Sequence, residues 1–171
     1  MKRETEGWEI AAGQDYNVDA NTVCIFAYTS KEIAVFDEIR LKNSGTYDMA
    51  EALKEKYPGI KVMPDSTGSA RKTSSRQSDH DIMRQAGFQV LAPRKNPPVR
   101  DRVNAVNRLL REERITFTNC PNLIMDMERN VWRNGDIDKR DPEQSHASDA
   151  IGYAINWLFP IHERIATVKQ W

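Results

Sequence analysis

Three stretches rich in β-branched and aromatic residues follow one another in the first forty-one positions: "WEIAAGQDYN" (8–17), "NTVCIFAYTS" (21–30) and "KEIAVFDEIRL" (31–41). The second and third are joined by a short polar turn, which suggests an antiparallel meander. The first run is expected to break at Gly13. Beyond residue 43 the period changes. "SGTYDMAEALKEKY" offers Ser44 or Thr46 as a cap and repeats apolar residues at Ala50, Leu53 and Tyr57 before Pro58 and Gly59 stop it, which predicts a helix. From there strands and helices alternate. "IKVMP" and "QVLAP" read as strands around a short helix "SDHDIMRQAGF" that Gly87 ends. A helix with Val103, Val106, Leu109 and Leu110 at helical spacing follows, then the strand "RITFTN", the helix "NLIMDMERNVW", the polar loop "NGDIDKRDPEQ" and a last helix "SHASDAIGYAINWLF". A meander followed by alternation predicts an α/β fold, a mixed sheet flanked by helices. The 171 residues suit one domain.

Twenty-five basic residues balance twenty-five acidic ones, but unevenly. Residues 68–114 carry eleven Lys or Arg against five Asp or Glu, whereas residues 1–67 carry eight against twelve and residues 115–171 six against eight. The middle is a basic block. Cys24 and Cys120 lie far apart with no metal-finger or C-x-x-C spacing and no secretory leader ahead of them, so cytoplasmic thiols are the default. Cys24 in "TVCIFAY" reads as a small core residue. No run of about eighteen apolar residues occurs, which argues against a membrane-spanning helix.

Three carboxylates sit where elements end. Asp15 closes the first strand, Asp65 follows the fourth, and Asp149 lies in the first turns of the last helix, where His146, Asp149 and Tyr153 share a stripe beside the apolar one made by Ala147, Ile151, Ala154, Ile155 and Leu158. If the first and fourth strands are parallel neighbours, both acids open at their carboxyl ends, where ligands gather in open α/β sheets. Each acid has an ordinary alternative: Asp15 and Asp65 suit turns, and Asp149 suits the positive end of a helix dipole. Gathered together they need a cation, because like charges about 4 Å apart repel by roughly 4 kcal/mol at an effective dielectric near 20. All-oxygen ligation selects Mg²⁺ or Mn²⁺, and a pair of such ions about 3.5 to 4 Å apart clamps the attacking and leaving oxygens of a phosphodiester displacement. Asp37 and Glu38 adjoin on one strand and so face opposite sides, which leaves them outside the set.

These residues, in this order, resemble the nuclease domain of the large terminase subunit of tailed bacteriophages, within the RNase H-like superfamily. The likeness rests on "GQDYN" after a first strand, "VMPDSTG" closing the fourth, and the H-x-x-D-A-x-x-Y pattern of "SHASDAIGYAI", and it covers nearly the whole chain. It implies an RNase H-like fold and an endonuclease that cuts concatemeric viral double-stranded DNA during genome packaging in the cytoplasm of an infected bacterium. Asp15, Asp65 and Asp149 would be catalytic and would ligate two divalent cations, Mg²⁺ or Mn²⁺. The partners it implies are DNA, an ATPase motor domain, the small terminase subunit and the portal. No G-x-x-x-x-G-K-[ST] is present, so residues 1–171 read as one nuclease domain excised from a longer chain whose motor lies N-terminal to it. Asn17 stands where the family often has Gly, which brings Asp19 in as an accessory candidate. His146 is another, as a metal ligand or a residue that orients water.

The basic block supplies a candidate DNA track. Arg71, Lys72 and Arg76 follow Asp65 among small polar residues, and Arg94, Lys95, Arg100 and Arg102 surround the Pro97-Pro98 pair. Such groups contact phosphates and position a duplex without reading its bases. Trp8, Trp132, Trp157 and Trp171, with Trp132 and Trp157 in helices, form no stacking array for single strands. Two alternatives stay open: another RNase H-like nuclease, such as a junction resolvase or transposase core, and a non-catalytic docking module of a packaging machine.

Overall fold

The suggested meander forms. In a computed structural model that describes residues 7–17, 20–70, 77–138, 141 and 144–161, β1 (Glu9–Asp15), β2 (Asn21–Tyr28) and β3 (Ile33–Leu41) pair antiparallel in sequence. Gly13 does not break β1, which runs on to Asp15. The chain then leaves the sheet through α1 (Thr46–Lys56) and returns as β4 (Lys61–Pro64), parallel to β1 on its far side. A 3₁₀ turn (Ser66–Ser69) and α2 (Asp79–Gln85) lead to β5 (Gln89–Val90), parallel to β4. After α3 (Val99–Arg111), β6 (Ile115–Phe117) pairs parallel with β3. The six-stranded order is β5, β4, β1, β2, β3, β6, the mixed sheet expected. α4 (Pro121–Arg129) and α5 (His146–Leu158) complete the fold.

Alternation along the strands divides the apolar residues into two cores. Ala12, Val23, Ile25, Ile39 and Val62 face α1 and α2 and pack on Met49, Leu53, Met83 and Phe88. Ala11, Cys24, Phe26, Val35 and Met63 face the other helices and pack on Ala105, Leu109, Leu123, Ala147, Ile151, Ala154 and Ile155. Both cysteines are free and buried, and burial pushes their thiols up. No helix among the described residues is long and apolar enough to cross a membrane.

Local details depart from the sequence pattern for identifiable reasons. The cap of α1 is neither Ser44 nor Thr46 but Gly45, whose N–H donates to the Asp48 carboxylate at 2.7 Å. The Ser44 hydroxyl bonds the Leu41 carbonyl, and that of Thr46 bonds Asp79 at 2.6 Å. On α3 the buried residues are Arg102, Ala105 and Leu109, while Leu110 is 42% exposed, so the inward face is rotated away from the stripe that spacing named. α4 stops at Arg129, and Trp132 lies in a hairpin of β7 (Trp132–Arg133) and β8 (Asp136–Ile137) rather than a helix. Its turn is Asn134-Gly135, both at positive φ, which is the preferred chemistry of a tight two-residue hairpin. The polar loop therefore contains a strand.

Candidate functional site

Residues two apart on a strand share a face, so Ala11, Gly13 and Asp15 of β1 all point toward α5. A methyl group at Gly13 would lie 2.2 Å from the Ala150 carbonyl oxygen and 3.1 Å from the Ala154 Cβ. Glycine here lets the α5 backbone settle directly onto the strand. One residue pair further along, the close approach brings α5's first turn to the strand end, where His146 Nδ1 and Asp15 Oδ2 are 2.9 Å apart. Burial pushes the Asp15 carboxyl above the usual carboxylate range; the His146 bond pulls it back, and the nearby Asp149 and Asp65 charges raise it further.

Asp65 follows β4, the parallel neighbour of β1, and its N–H donates to the Gln14 carbonyl at 3.1 Å. Asp15 and Asp65 thus stand at the carboxyl ends of adjacent strands. Asp65 caps its own 3₁₀ turn, Oδ1 accepting from the Thr67 N–H and Oδ2 from the Thr67 hydroxyl, both at 2.7 Å. Asn96, from the loop before α3, donates to the same Oδ1 at 2.6 Å and accepts from the Ser66 N–H at 2.8 Å. His80 Nε2 lies 2.8 Å from the Asp65 carbonyl oxygen, and its ring packs against Tyr16 over Gly68. Neither Asn96 nor His80 stood out in the sequence, because their partner is thirty-one or fifteen residues away.

Asp149 is 4% exposed and accepts from Arg102 Nη2 at 2.6 Å. Arg102 belongs to α3 and is itself 4% exposed, so it is not part of a surface track. Its guanidinium carbon sits 4.4 Å from the Tyr153 ring centre. Burial raises the Tyr153 hydroxyl; the Arg102 charge opposes that, and Asp65, Asp149 and Asp15 all reinforce it. One tyrosine feels all three carboxylates, so they share one region at the end of the sheet. Their oxygens are the donors a hard divalent cation takes. Among the described residues, however, no three His, Cys, Asp or Glu side chains are gathered closely enough to hold an ion; Asp15 is engaged by His146, Asp65 by Asn96 and Asp149 by Arg102.

The first turn of α5 is secured from outside the helix. Ser145, at φ 77°, makes no side-chain cap. Instead Asp126, buried on α4, accepts from the Ala147 and Ser148 N–H groups at 2.8 and 3.3 Å. This supplies the negative charge that a helix N-terminus favours, from a residue the sequence pattern gave no reason to select. Of the basic residues, Arg94, Lys95 and Arg100 are exposed. Lys95 and Tyr153 line one groove of about 340 Å³ with Pro93, Pro97, Asn156 and Trp157. Arg71, Lys72, Arg76 and Asp19 lie outside the described residues.

A family model described as the terminase RNaseH-like domain matches residues 7–158. The chain belongs to the terminase RNaseH-like domain family. Solved structures agree on the fold of this terminase domain. It superposes on the P22 large terminase nuclease domain with a TM-score of 0.74 at 15% identity, covering 94% of this chain and 86% of that one. The large terminase nuclease domain of bacteriophage SPP1, solved with bound Mn, gives 0.58 at 23% identity over 87% of this chain and 86% of that one. A large terminase from a thermophilic bacteriophage gives 0.69 at 18% identity over 92% of this chain, which spans 41% of that protein's length. No curated protein sequence matches the terminase domain.

Proposed function

We propose that this terminase domain is a divalent-metal-dependent endodeoxyribonuclease that cuts concatemeric double-stranded DNA during viral genome packaging, with Asp15, Asp65 and Asp149 as the ligands of two cations, Mg²⁺ or Mn²⁺. One observation carries the proposal: two adjacent parallel strands and the helix packed on them each deliver a buried carboxylate to the same end of the sheet. Bound cations would supply a water of lowered pKa and stabilise charge on the leaving oxygen. The rest falls to this chain. Asn96 and Thr67 hold the Asp65 carboxylate in one orientation, His146 does the same for Asp15, and Arg102 for Asp149. His146 keeps the alternative role of orienting water, and Asp19 remains an accessory candidate. Arg94, Lys95 and Arg100, with Arg71, Lys72 and Arg76, would contact phosphates and hold a duplex across the site. The relatives' identity as large terminases extends the proposal to a packaging machine with an ATPase motor, a small subunit and a portal, acting in the cytoplasm of an infected bacterium.

A supercoiled-plasmid nicking assay in Mn²⁺ tests the proposal. Cutting should vanish with EDTA and drop by about 100-fold or more in Asp149→Asn. Cutting that survives chelation, or an Asp149→Asn variant as active as the parent, overturns the metal assignment. A docking module would show no response to metal at all.

A further inference from the structure

The segment Asp149-Ala150-Ile151-Gly152-Tyr153 does more than present an acid: it builds a seat for one particular arginine. On a helix, positions i, i+3 and i+4 share a face, and here they supply an anion, a gap and a π surface. Asp149 accepts from Arg102 Nη2 at 2.6 Å, and Tyr153 lies under the guanidinium at 4.4 Å. Gly152 makes the room, since a Cβ there would come within 2.8 and 2.9 Å of Arg102 Cγ and Cδ. Both ends of the pair are nearly withdrawn from water, with side chains 4% and 5% exposed. A guanidinium so enclosed is not available to a phosphate on a passing duplex, so its effect is exerted through Asp149.

We propose that Arg102 is a positioning residue: its bond to Asp149 Oδ1, with the Ser145 hydroxyl donating to Oδ2 at 3.4 Å, fixes how that carboxylate faces a divalent cation, and its charge weakens cation affinity in exchange for a fixed ligand geometry. This rests on the metal-dependent reading above. A carboxylate freed from its guanidinium can turn and carries an uncompensated charge beside Asp15 and Asp65, and so binds a cation more tightly but in more than one way. Orientation within fractions of an ångström governs rate, so tighter binding goes with slower cutting.

The test measures Mn²⁺ binding to the whole chain, by the loss of the free-ion electron paramagnetic resonance signal, alongside plasmid nicking. Arg102→Met should bind Mn²⁺ roughly tenfold more tightly than the parent while nicking at least about tenfold more slowly. Arg102→Lys, which keeps the charge without the fork, should return affinity to near the parent value and recover part of the rate. Gly152→Ala, which displaces the arginine stem without removing any charge from the chain, should shift binding in the same direction as Arg102→Met and serves if that variant does not fold. Weaker or unchanged Mn²⁺ binding in Arg102→Met or Gly152→Ala, with the parent still binding the ion, overturns the role of Arg102 alone. A parent chain that binds no Mn²⁺ overturns it together with the metal-dependent reading.

Discussion

The two faces of the sheet are built from the same strands but differ in how closely a helix approaches them. Toward α1 and α2 the strands present Val23, Ile25, Ile39 and Val62, and the helices answer with Met49, Leu53 and Met83, joined by Phe88 just before β5, so large side chains hold helix and sheet apart. The α5 face also holds large side chains such as Phe26, Met63 and Ile151, but where β1 meets α5 the contact is Ala11 and Gly13 against Ala147, Ala150 and Ala154, and the backbones nearly touch. Face-to-face packing of large apolar groups gives stability with tolerance for repacking; small-residue contact fixes the helix in register and height. The second kind is found on the face where Asp15 has to meet a helix-borne histidine 131 residues later in the chain. Both faces bury large side chains, but only on the α5 face do small residues bring helix and strand backbones together.

Substitutions break or sharpen this contrast in a graded order. Gly13→Val, driving a branched side chain into the Ala150 carbonyl, should lift α5 off the sheet and cost about 3 kcal/mol or more in urea unfolding, with loss of the Asp15 and His146 pairing seen by imidazole NMR. Leu53→Ala on the opposite face should cost about 2 to 5 kcal/mol, the usual range for an aliphatic cavity, yet leave that imidazole signal unmoved. Should Leu53→Ala disturb the signal as much as Gly13→Val does, the division between the faces is wrong. Asp126→Ala leaves the Ala147 and Ser148 N–H groups without their carboxylate and should cost about 1 to 3 kcal/mol, with faster amide exchange in the first turn of α5.

The smallest effect concerns pH. Burial raises the Asp126 carboxyl above the usual range, more than its backbone hydrogen bonds lower it. The folded state therefore keeps that proton to higher pH than the unfolded chain does. Its contribution to stability is fully present below the unfolded value and is lost as pH rises through the raised folded one. Asp126→Asn removes the titration, so the parent's urea midpoint should fall relative to that of Asp126→Asn as pH rises across the acid range. A constant difference between the two would show that Asp126 titrates alike in both states.

Much of the architecture was legible before any coordinates. The meander followed from β-branched and aromatic runs joined by a short polar turn, the remaining elements from changes of period, and the mixed sheet from their order. What misled were single residues with two uses. Gly13 looked like a breaker because glycine weakens strands, but a strand interior also takes glycine where another backbone must come close. Arg102 looked like a surface base because it stands in a basic block, yet α3 turns it inward beneath α5. Trp132 looked helical because it follows a helical run, whereas Asn134-Gly135 folds it into a hairpin.

By itself the sequence determined the order of elements, the alternation that puts Ala11, Gly13 and Asp15 on one face, and the helical spacing of His146, Asp149 and Tyr153, because all of these depend on neighbours within a turn or a strand. Only the tertiary structure decided the partners: His146 for Asp15, Asn96 for Asp65, Arg102 for Asp149 and Asp126 for the end of α5. Those contacts join residues 21 to 131 positions apart. No local propensity encodes them, and they appear once burial has removed water and left each polar group to find a partner within the protein.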